Sequence, residues 1–224
     1  MKAVLFHADV GYDWHGEGIY KDLVKGLREN LKGFNIPLIH LTITGHEGWG
    51  DENYFYDVDN RSEVIYNREK LIVEFLRKDA VDDEVYWFIE PDFRLLQEFP
   101  ELTTDVCMLH RDDPIVITPA WRLAKKSSLP FFEECFTYFD LEQKKWHGDS
   151  IAWVKMWERI GKPNAPGIYN YNGISLELRP YGWYASRHKA RYSKQWKGGS
   201  KDQITSQEYK DAVVAREEAK KAAL

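Results

Sequence analysis

Val85-Tyr86-Trp87-Phe88-Ile89-Glu90-Pro91-Asp92 is the stretch on which the reading of this chain turns. Its first five residues form a short, unbroken apolar run without the alternation of a half-exposed strand. That is the pattern of a central strand covered on both faces. The run ends abruptly in Glu-Pro-Asp, which sets two carboxylates at the strand's C-terminal end. In open α/β sheets, ligands gather beyond those ends. Residues spaced i, i+2 in an extended segment point to the same side, and two hard oxygen donors suit Mg²⁺ or Mn²⁺ held together with a diphosphate. The same tripeptide also serves simply to end a strand and start a turn.

Upstream, Val4-Leu5-Phe6 reads as a buried strand running into a turn-rich loop. Ile19, Leu23, Leu27 and Leu31 then recur at helical spacing, with Gly33 where a C-cap belongs. Residues 37–44 look like a second strand, so the first 45 residues make a βαβ unit with a parallel sheet. A polar loop is expected over 45–61 and a helix over 63–77. Downstream, 105–109, 115–118, 169–171 and 174–178 are strand candidates, while 130–139 and 150–160 are helix candidates. Thr205 and Glu208 have capping-box spacing. With no repeat and no linker, the expectation is one α/β domain over residues 1–204, a single mixed and mainly parallel sheet flanked by helices, followed by a C-terminal helix or tail over 205–224.

Composition narrows the function. The chain has 224 residues, 43% hydrophobic and 30% charged, with a formal charge of −5; this is a globular composition, and long-range attraction to nucleic acid or membrane is not expected of the whole molecule. No apolar run reaches the roughly 20 residues of a membrane span, and His7 and Asp9 interrupt the N-terminus too early for a secretory segment. A cytoplasmic protein is expected, with Cys107 and Cys135 reduced and in the core. The nucleophile elbow, P-loop, Rossmann glycine fingerprint and HExxH motif are all missing. Nine Trp, thirteen Tyr and eleven Phe must serve either a large-residue core or a stacking surface.

Further candidates cluster around the central run. His7-Ala8-Asp9 and Tyr12 follow the first strand, Asn67 and Arg68 lie on the helix before the run, and Trp146-His147-Gly148-Asp149 opens a later helix. In this order the motifs resemble a small GT-A-type glycosyltransferase of the nucleotide-diphospho-sugar transferase superfamily. The resemblance extends loosely from residue 1 to about 201 and rests on YWFIEPD for the family's D-x-D-like motif and WHGDS for its W-x-G-D-Q-like segment.

The resemblance implies that Glu90 and Asp92 hold Mn²⁺ or Mg²⁺ on a nucleotide-sugar diphosphate. It further implies that His7, Ala8, Asp9, Tyr12, Asn67 and Arg68 bind the donor, and that Trp146, His147 and Gly148 border the acceptor. Asp149 would accept the proton of the attacking hydroxyl or hydrogen-bond the acceptor; an Asp at a helix start equally caps free N–H groups. Glu90 replaces the first Asp of the motif, Ser150 the usual Gln, and Gln195-Trp196-Lys197 stands where relatives carry a metal-binding His.

Between Arg179 and Lys201 seven cations occur without an acid, interleaved with Tyr181, Trp183, Tyr184, Tyr192 and Trp196. Cations beside aromatic faces suit a phosphate-rich ligand. Lys197 and Lys201 are candidates for the diphosphate, and Arg187, Lys189 and Arg191 for the acceptor. By analogy with small enzymes of this type, that acceptor is a modified pyrimidine in DNA or, in competition, a glycan. A nucleotidyltransferase of similar fold and a non-catalytic carbohydrate- or nucleic-acid-binding module are the rival readings.

Overall fold

The computed structural model describes residues 1–7, 17–45, 47–58, 64–110, 122–138, 155–156, 158–161, 167–180 and 184–187. Expected elements at 115–118 and 205–224 lie outside these. The predicted central run forms β4 (Tyr86–Ile89), and all four of its residues are buried. It is flanked by β1 (Lys2–His7) and β7 (Arg122–Ala124) in one eight-stranded sheet. The others are β2 (Leu38–Ile43), β3 (Glu52–Tyr56), β6 (Val106–His110), β8 (Ile168–Tyr171) and β9 (Ile174–Pro180), in the order β3-β2-β1-β4-β7-β6-β9-β8. Only β7 and β8 run against the rest. The α/β class and the mixed, mainly parallel sheet flanked by helices are therefore as expected.

Helix α1 (Glu17–Lys32) packs Val24, Leu27 and Leu31 on the face carrying Ala3, Leu5, Trp87 and Ile89. Helix α2 (Val64–Lys78) packs Leu71, Ile72, Phe75 and Leu76 on the other face, with Val4, Phe6 and Phe88, and α3 (Leu129–Thr137) joins it there. Alternate residues of β1 and β4 thus feed two separate cores, which is why these strands show no polar side. Of 150–160, the described residues 155, 156, 158 and 159 are helical.

Several local readings change. Gly33 is not the cap of α1. The chain makes one more turn, and Asn35 takes the left-handed conformation (φ 54°) while the Ile36 N–H bonds the Leu31 carbonyl at 3.1 Å. This is a Schellman closure with Ile36 and Leu31 in the same core. The expected loop at 45–61 contains β3, an edge strand whose Tyr56 is buried while Phe55 is exposed. Its one-sided burial leaves a polar composition that hides the strand.

β5 (Phe93–Leu95) and β10 (Ala185–Arg187) were not anticipated and pair antiparallel as a separate two-stranded sheet. β8 and β9 are joined by Asn172-Gly173, both at positive φ, a two-residue turn matched to hairpin twist. Cys107 and Cys135 form no disulfide and are buried, one in each core, and burial pushes the Cys107 thiol up to about 12.

Candidate functional site

The winding of the chain selects one edge. From β1 the chain crosses through α1 on one face to β2; from β3 it returns through α2 on the opposite face to β4, on the other side of β1. The direction of winding therefore reverses between β1 and β4. At such a reversal the loops separate to opposite faces and leave a crevice at the strands' C-terminal ends. Those ends are His7 and Ile89, and Glu90 follows immediately.

Glu90-Pro91-Asp92 does not continue as extended chain. The Phe93 N–H bonds the Glu90 carbonyl at 3.2 Å, closing a tight turn, so the extended alternation that would align the two carboxylates does not apply. Two arginines hold the turn from opposite sides. From α2, Arg68 reaches Glu90 at 3.2 Å while its guanidinium lies 4.6 Å from the centre of the Phe6 ring. Its Nε is buried without a hydrogen-bond partner among the described residues.

From the other side, Arg94 donates to the carbonyls of Pro91 (2.9 Å), Phe93 (2.6 Å) and Leu23 (3.3 Å), tying the turn to α1. Burial lowers the Arg94 pKa, and nearby Asp92 and Glu29 oppose that shift. A Cβ on Gly26 would lie 2.5 Å from Arg94 Nη2, so this mid-helix glycine makes the room Arg94 occupies. Asn30 completes the junction, bonding both the N–H and the carbonyl of Leu95 at 2.7 and 3.0 Å.

Beneath the turn lies a feature that spacing did not announce. Glu69, next to Arg68 on α2, accepts both terminal nitrogens of Arg122, at 2.8 and 2.5 Å. Arg122 faces Phe88 in the sheet and is fully buried. Two adjacent residues of α2 therefore bind charges at the ends of two adjacent strands, Glu90 after β4 and Arg122 in β7. A charged residue within Trp121-Arg122-Leu123-Ala124, an otherwise apolar segment, was the available signal, as was Gly26 inside a helix for Arg94.

Among the described residues Arg68 meets Glu90, Asp92 lies across the turn near Arg94, and the backbone of His7 and Asn67 lies at the same edge. Asp92 is buried, and the Glu90 side chain is 13% exposed. Arg187 lies in β10. Ala8, Asp9, Tyr12, Trp146, His147, Gly148, Asp149, Lys189, Arg191, Lys197 and Lys201 lie outside the described residues. Among the described residues no group of three His, Cys, Asp or Glu forms a ready metal centre. Glu90 and Asp92 offer the one or two carboxylates with which Mg²⁺ is ordinarily held when phosphate and water complete its shell. In donor chemistry the pair fits such an ion.

No helix of the described residues is long and apolar enough to cross a membrane. No protein-family model matches the chain, and no curated protein does. Among solved structures it is similar to a glycosyltransferase involved in glycosylation of the major capsid of PBCV-1, at 10% identity, TM-score 0.47, covering 80% of this chain and 81% of that one. It is also similar to galactosyltransferase LgtC in complex with donor and acceptor sugar analogues, at 11% identity, TM-score 0.40, covering 80% and 73%.

Proposed function

We propose that this chain is a glycosyltransferase that moves a sugar from a nucleotide-diphosphate-sugar to a hydroxyl acceptor at the crevice between β1 and β4. The observation that carries the reading is the coincidence of the winding reversal with Glu90 and Arg68. The bond from the anomeric carbon to the diphosphate oxygen breaks, and a bond from that carbon to the acceptor oxygen forms. Negative charge grows on the departing diphosphate, and groups held rigidly where it develops lower the barrier most.

Arg68 meets that requirement. Its guanidinium is braced by Phe6 and Glu90, and the buried Nε is a donor left over for an anion. Glu90 and Asp92 would hold a divalent cation, which when bound supplies further positive charge to the diphosphate. Arg94 keeps the turn in register with α1. Asp149 is the proposed proton acceptor for the attacking hydroxyl, Trp146, His147 and Gly148 the proposed acceptor border, and Lys197 and Lys201 added cations for the leaving group. A modified pyrimidine in DNA is the proposed acceptor, through Arg187, Lys189 and Arg191, with a glycan as the alternative.

Incubation with a panel of labelled nucleotide-sugars, with and without Mn²⁺, tests the reading. Expected are thermal stabilisation by one donor and release of a nucleoside diphosphate, both lost in Arg68→Ala and Glu90→Gln. Release of pyrophosphate from a nucleoside triphosphate would point to nucleotidyl transfer instead. Absence of binding to every donor would overturn the proposal.

A further inference from the structure

Glu69 and Arg122 form the most deeply buried ion pair among the described residues, their side chains 5% and 0% exposed. Two charges withdrawn from water return little net stability, and well-packed apolar residues of similar volume often serve the fold as well or better. Such a pair is accounted for by the geometry it fixes. Here the two terminal nitrogens of Arg122 donate to the two carboxylate oxygens of Glu69, at 2.8 and 2.5 Å. A fork of this kind sets orientation as well as distance.

The place of the fork decides what it orients. Arg122 opens β7 opposite Phe88 of β4 and Met108 of β6, one strand spacing from the chain that runs on into Glu90. Its guanidinium also lies 5.3 Å from the centre of the Phe132 ring in α3. The pair therefore ties α2, α3 and the sheet together at one point beside the Glu-Pro-Asp turn.

Apolar packing alone specifies that end of α2 loosely. Among the described side chains of the helix, core contacts begin at Leu71 and continue through Ile72, Val73, Phe75 and Leu76, on the side away from the turn. Arg68 and Glu69 precede them. Hydrophobic contact is non-directional and tolerates a small rotation or slide of the helix; a bidentate pair does not. Consecutive helical residues stand about 100° apart around the axis. Once Glu69 is held on Arg122, the direction in which Arg68 leaves the helix is held too. In that direction Arg68 reaches Glu90 at 3.2 Å, with its guanidinium 4.6 Å from the centre of the Phe6 ring.

We infer that Glu69 and Arg122 are positioning residues, which hold the N-terminal half of α2 in the rotation that brings Arg68 onto Glu90. Both act through Arg68. For turnover the inference rests on the glycosyl-transfer reading, in which Arg68 faces the charge developing on the leaving diphosphate. For the contact between Arg68 and Glu90 it rests on geometry alone.

The double replacement Glu69→Leu/Arg122→Met, made in the full chain, tests it, because it removes the fork, keeps the site filled and strands no charge. The first measurement is the coupling between Arg68 and Glu90, from urea unfolding of Arg68→Ala, Glu90→Ala and their combination. In the parent this coupling is expected to be about tenfold in the unfolding equilibrium constant. In the double replacement it should fall below about twofold while the melting curve stays close to the parent's. The second measurement is turnover of the donor found with the nucleotide-sugar panel. A fall in kcat of about 10–100-fold is expected, as for a misplaced catalytic group, with donor KM little changed because the lost interaction belongs to the transition state. A pair that serves stability alone would move neither quantity once the melting curve has recovered. Coupling as strong as in the parent overturns the inference, and so does unchanged kcat. If the parent turns over no donor, the glycosyl-transfer reading fails and the coupling alone decides, its loss upholding the inference and its persistence overturning it. Should the double replacement not fold, Glu69→Gln takes its place, since it keeps the shape and still accepts from Arg122; the coupling should then drop at least about threefold, and an undiminished value overturns the inference.

Discussion

The turn after β4 and the outer side of α1 handle charge in opposite ways. At the C-terminal end, Glu90, Arg68, Glu69 and Arg122 are largely withdrawn from water and locked into defined pairs. Along the outer side of α1, Lys21, Lys25, Arg28 and Lys32 are exposed, and Lys25 and Lys32 form no ion pair among the described residues. A buried charge is costly to strand and therefore fixes geometry. An exposed charge costs little and remains available to a ligand. The first region fixes geometry, and the second leaves its charge to the solvent.

The largest effect that would sharpen this contrast is at Glu69 and Arg122. Arg122→Met strands a buried carboxylate and is expected to cost about 3–5 kcal/mol, read from urea unfolding. Adding Glu69→Leu should recover most of the loss, because the pair itself contributes little net stability once both charges are gone. If the single change is harmless, the pair does not lock the two elements together.

Next comes Arg68→Ala, expected to cost about 1–3 kcal/mol by leaving Glu90 without its charged hydrogen bond. Turnover with the true donor should fall about 10²–10³-fold, as when one preorganised charge-stabilising donor is removed. Loss of stability without loss of turnover would make Arg68 a brace alone.

Gly26→Ala probes the connection between the turn and α1. Alanine gains about 1 kcal/mol of helix propensity over glycine. The new methyl, however, displaces Arg94 from the Leu23 carbonyl, so the variant should be no more stable than the parent. A stabilised variant would show that Arg94 yields freely.

The smallest effects belong to the exposed row. Lys25→Ala and Lys32→Ala should each shift stability by no more than about 0.5 kcal/mol. Asp51, just before β3, titrates below the ordinary carboxylate range. Burial acts to raise its pKa, but the Leu38 N–H and Arg28 together outweigh that. A carboxyl lowered by folding stabilises above its unfolded pKa and loses that contribution as pH falls through its folded one. The stability gap between parent and Asp51→Asn should therefore be present at neutral pH and close in acid, as followed by unfolding at a series of pH values.

Where one residue's surroundings come from its immediate neighbours, the sequence was readable. The apolar run 85–89 announced a central strand, Leu23, Leu27 and Leu31 announced a helix, and the allotment of Trp87, Phe88, Phe131 and Phe132 to the core follows from the same patterns. Where an element owes its form to a distant partner, the signal failed. β3 is a strand because it pairs with β2, and β5 because β10 returns to it some ninety positions later in the chain. Glu-Pro-Asp was visible as two acids, but whether they lie along a strand or around a turn depended on Arg94 reaching Leu23 from the far side of the motif.

By itself, then, the sequence determined the α/β class, the central strand and the carboxylates that follow it, because hydrophobic period and strand length are local properties. Only the tertiary structure decided that α1 and α2 take opposite faces, and hence that the winding reverses between β1 and β4. It alone joined Arg68 to Glu90 and Glu69 to Arg122, and it set Trp49 against His40, Tyr20 and Lys21. Each of these is a meeting of segments far apart in the chain. Such meetings depend on which faces are buried together, and no window of neighbouring residues contains that information.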